Sequence, residues 1–415
     1  MLEHNWLVTW ESLLLMQKHY KTNLIKDMIL MFINKSTFAK AERLVSRSAF
    51  NLLIVAAASV AITSCGTNSD NNSSTNFDRS ELLNNYADNI IMPAYEEYVA
   101  STNNLLISVN DFALSPDDNN KLVTCIEQLK IVSLKWQLAS LFDFGPASDH
   151  ALLEFTNSYP TSTTDIELSI GDENWIAGQA SNIDNVGLPA LDYLLNEEDA
   201  LNQFTANPAR SDHLVRLVEF LNAQAELVIE TWQSSYKLNF VSSTGTEMGS
   251  SIGAMLNSFN RVFEANIRKQ KLGLPSGVST FSGNPLPNHV EAKYANYWSI
   301  DLLYEAMLSI EMMYLGNATS SNQLLVQEGV GFNDYLTSLG DEDFGLGLHN
   351  DILAQIQSSK EAVLSLNDPL SEFVLTDQET CISVYTELQA LVVLFKVDMM
   401  SSLGVLITYQ DNDGD

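Results

Sequence analysis

The stretch GLPALDYLL, from Gly187 to Leu195, says more about the fold than any other part of this 415-residue chain. Its first three residues favour a sharp turn followed by a helix, because proline is tolerated in the first helical turn. Asp192 then lies close to the start of that helix, where a carboxylate interacts favourably with the helix dipole. The segment therefore predicts a turn and a helix that carries an acidic group near its beginning.

The same segment resembles the signature of the imelysin family, which is named as a metallopeptidase group and is also linked to bacterial iron uptake. The family motif is GxHxxE, in which His and Glu share one helix face and could converge on a metal ion. Here Gly187 matches the glycine, Pro189 stands at the His position and Asp192 at the Glu position. The proline side chain offers no lone pair to a metal ion. The segment therefore resembles the imelysin signature but gives poor support to metallopeptidase activity.

Other segments resemble the family in the expected order along the chain. They are NYADNIIMPAYEEY (Asn85 to Tyr98), FDFGP (Phe142 to Pro146), KLGLPSG (Lys271 to Gly277), HVEAKY (His289 to Tyr294) and the C-terminal tail. The resemblance implies Gly187, Pro189 and Asp192 as carried-over binding residues, with Asp192 as the metal ligand and no catalytic residue. It also implies iron or another divalent cation as the bound species. The alternative is that Asp192 has a structural role, in which its carboxylate interacts favourably with the helix dipole.

Apolar residues recur at three- and four-residue spacing along most of the chain, which predicts helices. Pro93 should kink or split the first helix, and Ser115 to Asp118 should cap the second. Further helical patterns follow from Asp212 to Ile407, whereas alternating strand-like runs are scarce. The sequence therefore predicts an all-α fold of two packed helical bundles, residues 78–243 and 244–415, divided where the pattern loosens after Lys237.

The N-terminal part is typical of a secretory signal. A basic cluster precedes an apolar run from Phe50 to Ile62, and the sequence ITSC closes on Cys65. The run is too short to span a membrane. We expect residues 1–64 to form the signal region, with Met28 or Met31 as alternative starts, and lipid to be attached to Cys65. More than one acyl chain would make this anchor stable.

Residues 66–76 contain only Gly, Thr, Asn, Ser and Asp, which predicts a flexible tether over residues 65–77. We therefore expect a Gram-negative cell-envelope lipoprotein, on the periplasmic face or the cell surface. Residues 1–64 hold 7 basic and 4 acidic residues of the chain's 21 and 52, which leaves a mature net charge of −34. Such a surface repels phosphate backbones, so nucleic acid is not an expected partner.

The remaining candidate ligands form weak patterns. Cys125 and Cys381 lie on separate predicted helices and are expected to be buried thiols, with one disulfide as the alternative. His150 and Glu154 are four residues apart but are not a ligand set by themselves. His349 follows a glycine without an acid three residues later. The acidic tail, Asp411 to Asp415, resembles a calcium loop but stops before the required glutamate.

Three functional classes remain open. The first, which we favour, is a lipid-tethered envelope protein that binds iron, another cation or its carrier. The second is a metallopeptidase, which position 189 supports poorly. The third is a structural or partner-binding lipoprotein in which the former site serves only packing.

Overall fold

Helices form nearly all the regular structure of residues 77–319, 326–340 and 342–409, the parts described by a computed structural model. This confirms the predicted all-α class. In chain order the α-helices are α1 (Arg79–Asn85), α2 (Met92–Ala113), α3 (Asn119–Ala139), α4 (Pro146–Asp149), α5 (Leu152–Asn157), α6 (Thr163–Ser169), α7 (Gly187–Asn196), α8 (Ala200–Ala206), α9 (Pro208–Thr231), α10 (Lys237–Ser242), α11 (Ser251–Arg261), α12 (Ser299–Leu315), α13 (Phe332–Thr337), α14 (Glu342–Val363), α15 (Leu370–Thr376), α16 (Gln378–Val392) and α17 (Met400–Ser402).

Shorter elements connect these helices. The π-helical segments are Tyr86–Ile91, Trp232–Tyr236, Val262–Gly273 and Val393–Met399, and the 3-10 segments are Ser140–Phe142, Ala180–Asn185 and Pro287–His289. Strands β1 (Ala318–Thr319) and β2 (Val326–Gln327) form a two-residue antiparallel pair. The signal region, residues 65–76 and the acidic tail lie outside the described residues. Phe77, the last residue of the predicted tether, stacks on the ring of Tyr335 at 4.6 Å, so the tether ends before this residue.

Three long helices, α2, α3 and α9, build the core of the first predicted half, with α2 packed against both others. The rings of Tyr98 and Trp136 lie 5.2 Å apart between α2 and α3, and both side chains are buried. Burial of one such large apolar side chain contributes roughly 1.5–3 kcal/mol. Tyr98 and Trp136 both belong to the predicted apolar faces, so burial follows the spacing seen in the sequence.

Helix α12 belongs to the second predicted half and packs against α3 of the first half as well as α14 of its own. The connection expected to be loose after Lys237 is partly helical, because α10 occupies Lys237–Ser242. The boundary between residues 243 and 244 stays a prediction. The contact between α3 and α12 matters here because the candidate site lies beside it.

Two local expectations change in detail. Pro93 is the second residue of α2, and α2 follows directly on the π-helical segment Tyr86–Ile91, so the helical run is not split at this proline. The kink stays a prediction. The second helix begins later than expected: Asp118 caps it by accepting hydrogen bonds from the N–H groups of Asn120 and Lys121. Ser115 and Pro116 therefore precede the helix and do not open it.

The helical run Gln378–Ser402 is long and apolar enough to cross a membrane by length and composition alone, although core helices share these properties. One side of it is buried, including Cys381, Leu388 and Phe395. Cys125 and Cys381 are both buried free thiols, as predicted.

Candidate functional site

Helix α7 begins where the sequence predicted a turn. Gly187 has a φ of +75°, a conformation that glycine adopts without strain, and a Cβ there would lie 2.3 Å from the carbonyl oxygen of Thr156. Pro189 lies in the first turn, where a missing N–H removes no helical hydrogen bond. Eight of the ten residues are buried, so the signature helix is an internal element that is fixed in place by its neighbours.

Asp192 is buried, and its carboxylate holds a distant segment of the chain. Oδ2 accepts a hydrogen bond from the backbone N–H of Tyr294 at 2.9 Å, and Oδ1 accepts one from the N–H of Ala295 at 2.9 Å. The side-chain amide of Asn196 donates a third bond to Oδ1 at 3.2 Å. Asp192 therefore binds backbone groups of another segment, and it does not cap its own helix.

Burial raises the pKa of the Asp192 carboxyl to about 7. The N–H groups of Tyr294 and Ala295 and the amide of Asn196 act in the opposite direction, and the nearby charge of Glu291 raises the pKa further. Loss of hydration thus outweighs three hydrogen bonds to the charged form. A substantial fraction of Asp192 is neutral near pH 7.

The segment held by Asp192 is irregular and contains two non-glycine residues with positive φ, Ala292 at +52° and Asn296 at +64°. This region is sparsely populated for such residues and persists where surrounding contacts fix it. The hydrogen bonds from Tyr294 and Ala295 to Asp192 are contacts of this kind. Helix α7 thereby determines the path of the segment between the 3-10 turn Pro287–His289 and α12.

A buried ion pair anchors the same segment on its other side. Lys271 and Glu291 form a salt bridge in which each side chain is only 6% exposed. Asn157 donates to Oε1 of Glu291 at 2.7 Å, and the hydroxyl of Ser299 donates to the Glu291 carbonyl oxygen at 2.7 Å. Burial lowers the pKa of Lys271, and the charge of Glu291 opposes that effect. Lys271 lies in KLGLPSG and Glu291 in HVEAKY, two of the segments that resemble the family.

An open cavity of about 350 Å³ lies between α7, this segment and the start of α6. Pro189 and Asp192 contribute to its wall from α7. The other lining residues are Tyr159, Pro160, Thr161, Thr163, Asn288, His289, Val290, Ala292, Lys293 and Tyr294. Its volume is at the lower end of the range for small-molecule sites. We call this cavity the signature pocket.

Two smaller cavities of about 10 Å³ each lie deeper in the fold. One touches Pro189, Asp192 and Glu291, and the other touches Tyr159 and Lys271. Each is about large enough for one water molecule. Position 189 therefore faces both the signature pocket and the inner cavity beside Glu291, so an imidazole at that position would project into this region.

The residues present do not form a metal centre of the kind implied by the family name. Pro189 has no donor atom, and both oxygens of Asp192 already accept hydrogen bonds from N–H groups. Within residues 77–319, 326–340 and 342–409, no group of three or more His, Cys, Asp and Glu side chains is placed to hold a metal ion. Asp192 as a metal ligand stays a prediction that requires displacement of these hydrogen bonds.

The other histidines lie apart from this arrangement, with one exception. His213 is buried and contacts Ser169 and Arg216, and His349 contacts the hydroxyl of Tyr314 at 3.0 Å. His289 lines the signature pocket. Three residues of this arrangement were not predicted as site residues: Lys293 of the pocket and the anchoring pair Lys271 and Glu291. They lie in HVEAKY and KLGLPSG, two segments that resemble the family, and this resemblance is the signal that could have found them.

Comparisons with known proteins agree with the arrangement of helices. The family model described as Imelysin matches residues 91–395. An iron-regulated protein A precursor from Parabacteroides distasonis is 17% identical with a TM-score of 0.60, and the match covers 76% of this chain and 95% of that one. An imelysin-like protein from Psychrobacter arcticum is 16% identical with a TM-score of 0.61, over 80% and 97% of the two chains. No curated protein matches. At these identities the structural likeness shows the fold alone.

Proposed function

The chain belongs to the imelysin family, and we propose that it is a non-catalytic binding protein of the cell envelope that takes part in uptake of iron or another cation. The cation enters as cargo, either free or held by a carrier molecule. One observation supports this proposal most. An open pocket lies beside the signature helix, and the acidic group of that helix already accepts hydrogen bonds from the N–H groups of Tyr294 and Ala295.

Peptidase chemistry requires groups that this site does not supply. A metallopeptidase uses a metal ion with an open coordination position to activate water, and the ion needs about three protein ligands. Position 189 offers none, and the Asp192 carboxylate is turned to backbone donors. The site is thus better suited to hold a ligand than to cleave one.

Rigid support around the pocket favours binding. Asp192 fixes one side of the segment that forms the pocket wall, and the buried pair of Lys271 and Glu291 fixes the other. A wall that is held in place before the ligand arrives loses little conformational freedom on binding. The two anchors therefore preorganise the signature pocket.

The cell-envelope location rests on the sequence around Cys65 and on the flexible tether after it. We expect acylation of Cys65 to place the protein on a membrane, and Cys65→Ala to move it to the soluble fraction after cell lysis. Incorporation of radioactive palmitate into wild-type protein, and its loss in Cys65→Ala, is the accompanying measurement. A Cys65→Ala variant that still sediments with membranes would overturn the anchor.

Involvement in iron uptake is supported by the name of one structural relative, the iron-regulated protein A precursor. The test is to titrate the purified protein with ferrous, ferric, zinc, copper and calcium ions, each free and in chelated form, alongside an assay for cleavage of an unfolded protein. We expect saturable binding of iron in one of these forms without cleavage. Cleavage that a chelator abolishes would instead show a peptidase, and no binding in any form would show a partner-binding role.

A further inference from the structure

We infer that the ligand of the signature pocket is a small anion bearing several carboxylate groups, of the kind that chelates a metal ion. This inference rests on the proposed function and names the chemical class of the carrier. The pocket wall carries one lysine, several polar side chains and one carboxylate.

The wall carries a lysine whose ammonium group has no carboxylate partner among the described residues. The ammonium of Lys293 donates to Oδ1 of Asn288 at 2.8 Å and lies 5.1 Å from the centre of the Tyr294 ring. An ammonium group has three donors, and among the described residues no carboxylate forms a salt bridge with this one. Lys293 is therefore a positive charge at the pocket whose protein contacts are an amide oxygen and a ring face.

The neighbouring polar side chains add further donors. Because an ammonium group only donates, the bond from Lys293 fixes the Asn288 amide with its oxygen toward Lys293 and its NH₂ group free. Within the described part of the chain, the Asn288 NH₂ group, the Thr163 hydroxyl and the His289 ring have no hydrogen-bond partner, and all three residues line the pocket. The ammonium of Lys293 and the NH₂ group of Asn288 can only donate, and the hydroxyl and the imidazole can each donate as well as accept, so all four groups can donate to an anion that enters the pocket.

The single carboxylate on the wall does not reverse this balance. Asp192 turns its two oxygens to Tyr294, Ala295 and Asn196, so they are occupied from the protein side. Glu291, the next nearest acid, is buried and paired with Lys271. A free cation would be repelled by the charge of Lys293, whereas a carboxylate would meet this ammonium and side chains that are able to donate hydrogen bonds to it.

This donor-rich pocket contrasts with the rest of a chain whose formal net charge is −31. Such a charge repels anions over long distances, and repulsion of this kind slows their association. A carboxylate ligand that carries a metal cation has a smaller negative charge and meets less repulsion. The pocket of about 350 Å³ also sets a size limit near that of a small organic molecule.

The experiment is calorimetric titration of the full-length protein with citrate, ferric citrate and inorganic phosphate, at low and high salt. Citrate serves as the probe because it combines three carboxylates with the ability to chelate ferric iron. We expect one-to-one binding of ferric citrate. We expect Lys293→Gln to weaken it at least about tenfold, since a charged hydrogen bond is lost. Lys121→Gln is the matched control, because that lysine lies far along the chain in an exposed pair with Asp111.

The outcomes separate this inference from the proposed function. The anion assignment is overturned if neither citrate nor ferric citrate binds, or if they bind to wild type and Lys293→Gln with equal affinity. If free metal ions bind in that case, the proposed function stands alone. Binding of citrate but not of ferric citrate, with loss in Lys293→Gln, supports the anion site and contradicts a role in iron uptake. A response to phosphate equal to that of citrate would show a general anion site and overturn the carboxylate assignment.

Discussion

The carboxylate of Asp192 accepts a hydrogen bond from the backbone N–H of Tyr294 at 2.9 Å, across 102 positions of sequence. This bond joins the signature helix α7 to the segment that forms the pocket wall. A second bond, from Ala295, lies beside it. The residue at the acidic position of the family motif is therefore a structural anchor for the pocket in this chain.

Replacement of Asp192 by alanine is expected to destabilise the protein by about 2–4 kcal/mol. Two backbone N–H groups lose their acceptor, and each such loss costs about 1–3 kcal/mol, with the lower part of that range expected for these half-buried groups. Asp192→Asn keeps one side-chain oxygen and should cost less. Urea unfolding followed by circular dichroism measures both changes. Equal stability of wild type and Asp192→Ala would show that solvent replaces these bonds without cost.

The raised pKa of Asp192 predicts a dependence of stability on pH. In the unfolded chain this carboxyl titrates near 3.9, whereas in the folded protein its pKa is about 7. Between these values the folded state binds more protons, so this group's contribution to the free energy of unfolding is fully present below pH 4 and falls as the pH rises through 7. The slope is at most about 1.4 kcal/mol per pH unit.

Asp192→Asn removes this titration. We expect the free energy of unfolding of wild type to fall relative to that of Asp192→Asn as the pH rises from 5 to 8, as measured by urea unfolding at each pH. A difference that does not change over this interval would mean that the three N–H donors keep Asp192 ionised throughout.

The buried pair of Lys271 and Glu291 should behave unlike a surface pair. Removal of one partner leaves an uncompensated buried charge, so we expect Lys271→Met or Glu291→Gln alone to cost about 3–5 kcal/mol. The double variant removes both charges with little change of volume and should recover most of that loss. Unfolding free energies of the four proteins form the thermodynamic cycle.

The exposed pair of Lys121 and Asp111 provides the control cycle, with side chains 27% and 60% exposed. Its coupling energy should lie within about 1 kcal/mol of zero. Similar coupling energies for the two pairs would show that Lys271 and Glu291 are solvated in solution.

Gly187→Ala tests the turn that starts the signature helix. A methyl group there would overlap the carbonyl oxygen of Thr156, in addition to the strain of a φ of +75°. Gly249 has a φ of +86° but no neighbouring atom within 4 Å of the added Cβ, so Gly249→Ala measures the conformational strain alone. We expect Gly249→Ala to cost about 1–2 kcal/mol and Gly187→Ala clearly more. Equal losses of thermal stability would contradict the close contact.

The sequence predicted helices well because burial follows the three- and four-residue spacing of apolar residues, as in α2 and α3. The turn at Gly187 was predictable from glycine and proline chemistry. The partners of Asp192 were not, because Tyr294 and Ala295 contribute backbone N–H groups that carry no residue-type signal. The pairing of Lys271 with Glu291 depends on the fold of an irregular segment, for which local periodicity gives no information.

A binding role in iron uptake is tested by supplying radioactive ferric citrate to cells and measuring the iron that they accumulate. The strains compared lack this protein or are complemented with wild type or Lys293→Gln. We predict reduced accumulation without the protein, recovery with wild type, and poor recovery with Lys293→Gln at equal protein abundance. Equal accumulation in all strains would contradict a binding role in iron uptake.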